Sequence, residues 1–177
     1  MEYRVLGPLE VVSDGRPLAL GGPKQRAVLA ILVLQANEVV SVDRIIAGVW
    51  GESASDGALA TLQVYVSGLR KILEPVKGEH RVIVAQRPGY MLVAEPDSID
   101  AVRFERLVET ARKELADERY EDASRHYTEA LQLWRGEPLA DFAFHDFAAP
   151  EASRLDGERV AALEDRIQAD LARGRHT

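Results

Sequence analysis

The segment Gly57–Pro75 constrains this chain most. Stepping 100° per residue along Ala58–Leu73 brings Leu62, Tyr65, Val66, Leu69, Ile72 and Leu73 within about 80° of one direction. Such a stripe belongs to a helix with one face buried. Pro75 ends that helix, because it lacks an N–H and restricts the residue before it. The opposite face carries Ala60, Val64, Ser67 and Lys71, flanked by Thr61, Gln63, Gly68 and Arg70. No acidic residue occurs between Asp56 and Glu74. A loop follows at Lys77–His80. Two β-rich runs, Arg81–Ala85 and Tyr90–Ala94, then surround the turn sequence Arg87-Pro88-Gly89. Arg81–Val93 is also free of acid.

Upstream the pattern is strand, then helix, twice over. Tyr3–Val12 is β-rich, Asp14-Gly15 is a hairpin turn and Arg16–Leu20 returns as a short strand. Gly21-Gly22 breaks the sheet. Pro23 suits a first helical position, and Gln25–Gln35 reads as a helix ending near Asn37. Val39-Val40 can pair briefly. Ser41 then caps a helix whose apolar stripe is Ile45, Ile46, Val49 and Trp50, with Gly51 beyond it. The order β-β-(β)-α-β-α-α-β-β, closing on a hairpin, describes a winged helix-turn-helix.

Charge divides the chain at Glu95–Ser98, a Pro-containing connection. The net charge of −7 comes entirely from one side: residues 1–96 hold 10 Lys+Arg against 10 Asp+Glu, and residues 97–177 hold 12 against 19. The local field decides affinity for nucleic acid, so an acidic total does not exclude it. The small outer face of Ala58–Leu73 can approach base edges in a major groove. Val64 can touch a thymine methyl, Thr61, Gln63 and Ser67 can hydrogen-bond, and Arg70 and Lys71 suit phosphates or a guanine edge. Arg87 at a hairpin tip suits a minor groove or its phosphates. An ordinary solvated helix is the competing account of the same face. A protein-interaction adaptor that uses the winged helix and the acidic half without DNA is the competing function.

After residue 97 the periodicity is helical over Val102–Ala116, Tyr120–Trp134 and Ala149–Ala172. The first two resemble one tetratricopeptide-type hairpin, which needs neighbours to bury its faces. The fold class expected is therefore an α+β winged helix-turn-helix over residues 1–96, followed by an all-α tetratricopeptide-like domain over 97–177.

Enzymatic chemistry finds no support. There is no cysteine, and the four histidines, His80, His126, His145 and His176, lack ligand spacing. Gly21-Gly22-Pro23-Lys24 lacks the Gly-Lys-Ser/Thr ending of a phosphate-binding loop. Asp141, His145 and Asp146 are interleaved with Phe142, Phe144 and Phe147, which reads as packing rather than a metal site. No cofactor or metal is expected. The apolar run Ala27–Leu34 is far too short to span a bilayer, and a cytoplasmic setting is the expectation.

Several ordered motifs carry a family resemblance. They are Leu6-Gly-Pro-Leu9, Pro23-Lys-Gln-Arg-Ala-Val-Leu-Ala30, Val40-Ser-Val-Asp-Arg-Ile45, Val49-Trp-Gly51, Leu62-Gln-Val-Tyr-Val-Ser67, Leu69-Arg-Lys-Ile-Leu73 and Arg87-Pro-Gly-Tyr90. Together they resemble the Streptomyces antibiotic regulatory protein family, over nearly the whole chain. The resemblance implies a winged helix of the OmpR type, then a helical bacterial transcriptional activation domain including Leu133-Trp-Arg-Gly136. It implies binding to direct repeats in double-stranded promoter DNA, in tandem or as a dimer, and recruitment of RNA polymerase holoenzyme. Regulation of a secondary-metabolite cluster is implied too. Thr61, Val64, Tyr65, Ser67, Gly68 and Arg70 fall at the family's contact positions. The chain departs from many OmpR-type relatives at Ala60 and Gly68, where a basic residue is common, so tandem binding would offset weak single-site affinity. The family pattern continues past Thr177, so the activation domain is expected to be incomplete.

Overall fold

A computed structural model describes residues 1–74 and 81–174. Pro75, the loop expected at Lys77–His80 and residues 175–177 lie outside them. Strands β1 (Glu2–Arg4), β2 (Glu10–Ser13) and β3 (Arg16–Pro17) form an antiparallel sheet in that order. The stretch expected as one β-rich run is thus divided at Leu6–Leu9, where the chain turns back and Arg4 comes opposite Glu10. The return strand is shorter than the Arg16–Leu20 expected. Helix α1 (Pro23–Leu34) begins at the proline itself. Its residues Ala27–Val33 are all buried, because the helix is enclosed by other elements on every side.

β4 (Val40–Ser41) leads directly into α2 (Val42–Trp50), capped where Arg44 N donates to Ser41 Oγ at 3.2 Å. α3 (Ala58–Leu73) buries Ala58, Leu62, Val66, Leu69 and Leu73, with Tyr65 and Ile72 packed at the edge of that stripe. β5 (Ile83–Gln86) and β6 (Gly89–Leu92) form the wing, with β4 added to give a sheet ordered β4-β6-β5. Gln86 pairs with Gly89, so the turn is the two residues Arg87-Pro88, and the strands sit closer to it than expected. Gly89 has a steric reason to be glycine: a Cβ there would lie 1.8 Å from the Val40 carbonyl oxygen.

The helical half comprises α4 (Asp100–Ala116), α5 (Tyr120–Leu131) and α6 (Ala149–Ala172). α4 and α5 form a hairpin around Phe104, Val108, Ala111, Ala123, Tyr127 and Ala130, and α6 packs against α5. α5 stops at Leu131 rather than at the expected Trp134. Trp134 instead packs in a T-shaped arrangement with Phe104, ring centres 5.3 Å apart, and carries the Arg159 guanidinium at 4.7 Å. The α+β winged helix-turn-helix and the helical half have the expected class and order.

The two halves meet at the β1–β2 turn. The buried Asp100 carboxylate accepts from Val5 N at 2.7 Å and Leu6 N at 3.1 Å. Arg135 N donates to Leu6 O at 2.8 Å, and Leu139 N donates to Val5 O at 2.9 Å. Asp141 accepts from Leu9 N at 3.0 Å and pairs with Arg26 of α1. One apolar core runs across this seam from Tyr3 and Leu29 to Phe104 and Leu139. Burial holds the Asp100 carboxyl above the usual aspartate range, against the amide hydrogen bonds and Arg135, which lower it.

Asp141 is therefore a structural anion. Among the described residues no group of His, Cys, Asp and Glu could hold a metal. Phe142 is buried and Phe147 packs against the core, as expected. Phe144 departs from the expectation: it is fully exposed, since the short loop turns Phe142 and Phe147 towards the core and leaves Ala143 and Phe144 facing solvent.

Candidate nucleic-acid interface

α3 presents the face the sequence assigns to it. Gln63, Val64, Ser67 and Lys71 are exposed, and Val64 keeps 66% of its surface accessible. A branched apolar side chain so open on an acid-free face fits no packing role within the described residues. Lys71 has no ion pair among the described residues. The exposed face thus combines one apolar knob, two short polar groups and one free cation.

The flanks are more constrained. Thr61 Oγ1 donates to its own helix, to Gly57 O at 3.0 Å. Arg70 Nε donates to Ile83 O at 2.9 Å, and its guanidinium lies 6.0 Å from the Tyr90 ring centre. This residue, read from sequence as a phosphate or guanine contact, thereby ties α3 to the wing and fixes the angle between them. Its remaining N–H groups stay at the rim, where the side chain is half-buried. Arg87 is exposed at the wing tip, again without an ion pair among the described residues.

On the other flank, Tyr65 stacks on Trp50 with ring centres 6.0 Å apart and planes 11° from parallel. Lys24 Nζ of α1 lies 5.5 Å from the Trp50 ring centre. Gly68 faces Gln25: a Cβ on Gly68 would come within 2.8 Å of Gln25 Oε1. Gln25 Nε2 in turn donates to Leu20 O at 3.0 Å. The missing side chain at position 68 thus leaves room for the Gln25 amide against α3. Lys24, Gln25 and Trp50 were not assigned to the interface from sequence. Their only sequence signal is an exposed Pro-Lys-Gln turn at a helix start and a glycine on the flank of α3.

The site therefore assembles Gln63, Val64, Ser67, Lys71 and Arg87 as solvent-facing groups. Thr61, Tyr65, Gly68 and Arg70 form its two supporting flanks. Among the described residues the arrangement sets no nucleophile beside a base; it is an exposed, acid-free surface of apolar, polar and cationic groups.

Comparison with known proteins places both halves. Residues 15–92 match the family described as "Transcriptional regulatory protein, C terminal", and residues 99–177 match "Bacterial transcriptional activator domain". The chain is 39% identical over 176 residues to the transcriptional regulatory protein EmbR of Mycobacterium tuberculosis, covering 99% of this chain and 45% of EmbR. It is 32% identical to the regulatory protein DnrI of Streptomyces peucetius, covering 99% of this chain and 67% of DnrI. It is 35% identical to AfsR of Streptomyces coelicolor, covering 99% of this chain and 17% of AfsR. A solved structure of M. tuberculosis EmbR in complex with a low-affinity phosphopeptide superposes with a TM-score of 0.95 at 39% identity, over 98% of this chain and 46% of that one. The chain spans less than half the length of EmbR.

Proposed function

The chain belongs to the Streptomyces antibiotic regulatory protein family of transcriptional regulators, and from that premise we propose that it binds promoter DNA sequence-specifically and activates transcription. One observation supports the DNA reading above the others. The exposed face of α3 is free of acid, carries Val64, Ser67 and Lys71, and adjoins a wing with Arg87 at its tip. In this reading α3 lies in the major groove, and the wing reaches the adjoining minor groove or its phosphates. Direct-repeat operators, tandem or dimeric occupancy and recruitment of RNA polymerase holoenzyme through the helical half follow from the family. So does control of a secondary-metabolite cluster. The division at 96/97 makes residues 1–96 the reading head and residues 97–177 the activating part. No described helix is long and apolar enough to cross a membrane.

Fluorescence anisotropy with labelled duplex DNA at a series of salt concentrations tests the reading. Binding with a negative slope of log affinity against log salt is the expected result. Absence of binding at low salt would overturn it and favour the protein adaptor. In vitro transcription from a bound promoter tests activation, with loss of stimulation expected when the helical half is disabled but the winged helix still binds.

A further inference from the structure

A helix lying in the major groove runs between two phosphate strands, since the groove is only about 12 Å wide. The wing and Arg87 address one of those strands. The opposite flank of α3 is formed by Tyr65 and Gly68, against Trp50 of α2 and the first turn of α1. Here Lys24 is exposed, has no ion pair among the described residues, and holds its ammonium over the Trp50 ring at 5.5 Å.

We propose that Lys24, carried on the Trp50–Tyr65 stack, is a phosphate seat for the DNA strand on the flank of α3 opposite the wing. The proposal rests on the DNA-binding reading above. Three features of the geometry support it. The cation–π contact restrains a flexible four-carbon stem without neutralising its charge, so the ammonium remains available to an anion. The Trp50–Tyr65 stack links that position to the recognition helix itself, so a groove-bound α3 carries Lys24 with it. The Gln25 amide lies over Gly68, where a Cβ would come within 2.8 Å of its Oε1, and donates to Leu20 O, so the first turn of α1 sits beside α3. The ligand is a backbone phosphate of duplex DNA, contacted without regard to base.

The test uses the full chain and a labelled duplex of mixed sequence, followed by anisotropy across salt concentrations, with circular dichroism to confirm folding. Lys24→Ala is expected to weaken binding about 3- to 10-fold and to reduce the magnitude of the salt slope by about 1, since one phosphate contact is lost. Lys24→Arg should restore the slope. Trp50→Phe, which keeps a ring, should stay near wild type, whereas Trp50→Leu should lose affinity. Lys71→Ala serves as the reference from the exposed face of α3. Wild-type affinity and slope in Lys24→Ala, beside losses in Lys71→Ala, would overturn this proposal alone. No binding by the wild type would overturn the DNA reading and the proposal together.

Discussion

The two halves of the chain differ in how they treat the positive charges on their exposed faces. In the helical half most of the described cations are neutralised locally. Arg106 pairs with Asp97, Arg112 with Glu158 and Asp165, Arg125 with Asp122 and Glu129, and Arg154 with Glu105 and Glu151. On the winged helix, Lys24, Lys71 and Arg87 have no ion pair among the described residues, and Arg70 donates to a carbonyl rather than to an acid. Exposed ion pairs contribute little to stability, about 0–1 kcal/mol each, so the difference matters mainly for what the surface attracts. A paired cation offers a weak field to an incoming polyanion, and an unpaired one offers its whole charge. Net charge misleads here because the acid excess sits where the cations are already matched.

The strongest break in this comparison is at the seam that joins the halves. Asp100→Ala leaves the amides of Val5 and Leu6 buried without an acceptor, so it should destabilise the fold by about 2–4 kcal/mol, measurable by urea unfolding. The carboxyl also titrates. Its folded pKa is raised by burial, so the native state holds this proton more tightly than the unfolded chain does. The stability from that proton is present below the ordinary aspartate pKa and is lost as pH rises through the raised value. Asp100→Asn removes the titration. The cost of that substitution relative to wild type should therefore shrink as pH rises from the ordinary aspartate range towards neutrality. A pH-independent difference would contradict the burial argument.

Next in size is the exposed knob of the reading face. Val64→Asp places a carboxylate where the proposed DNA strand passes, and it should weaken binding by about 100-fold or more with the circular dichroism spectrum unchanged. Unaltered affinity would refute the assignment of the α3 face. A smaller loss, about 1 kcal/mol each and nearly equal across sequences, is expected for Lys71→Ala and Arg87→Ala in anisotropy titrations, because phosphate contacts position without specifying.

Much of this organisation was legible in the sequence because it is local. The stripe Leu62–Leu73 has helical period, Ser41 is a cap and Arg87-Pro88 is a turn, and each is decided by neighbours a few residues away. The supporting geometry was not legible. Arg70 meets Ile83, Gln25 meets Gly68, and Asp100 meets Val5 across 95 residues of sequence. No periodicity encodes such contacts, because they depend on how separate elements pack. The Phe142–Phe147 loop shows the same limit: alternating aromatics signalled burial, yet which of the three faces solvent was set by the path of the loop.

The smallest expected effect tests the comparison most directly. Arg125 sits on α5 between Asp122 and Glu129, fully on the surface, and both carboxylates hold its guanidinium in the charged form. If local pairing is what separates the two halves, Arg125→Ala should leave DNA affinity and its salt slope unchanged, and removing the same unit charge at Lys71 should alter both. Stability should barely change, because solvent screens exposed helix pairs of this kind. Because the two substitutions change the net charge equally, any model based on total charge predicts equal losses for them. A loss at Arg125 matching that at Lys71 would mean that the whole-chain charge governs binding, and the distinction between free and matched cations would fail.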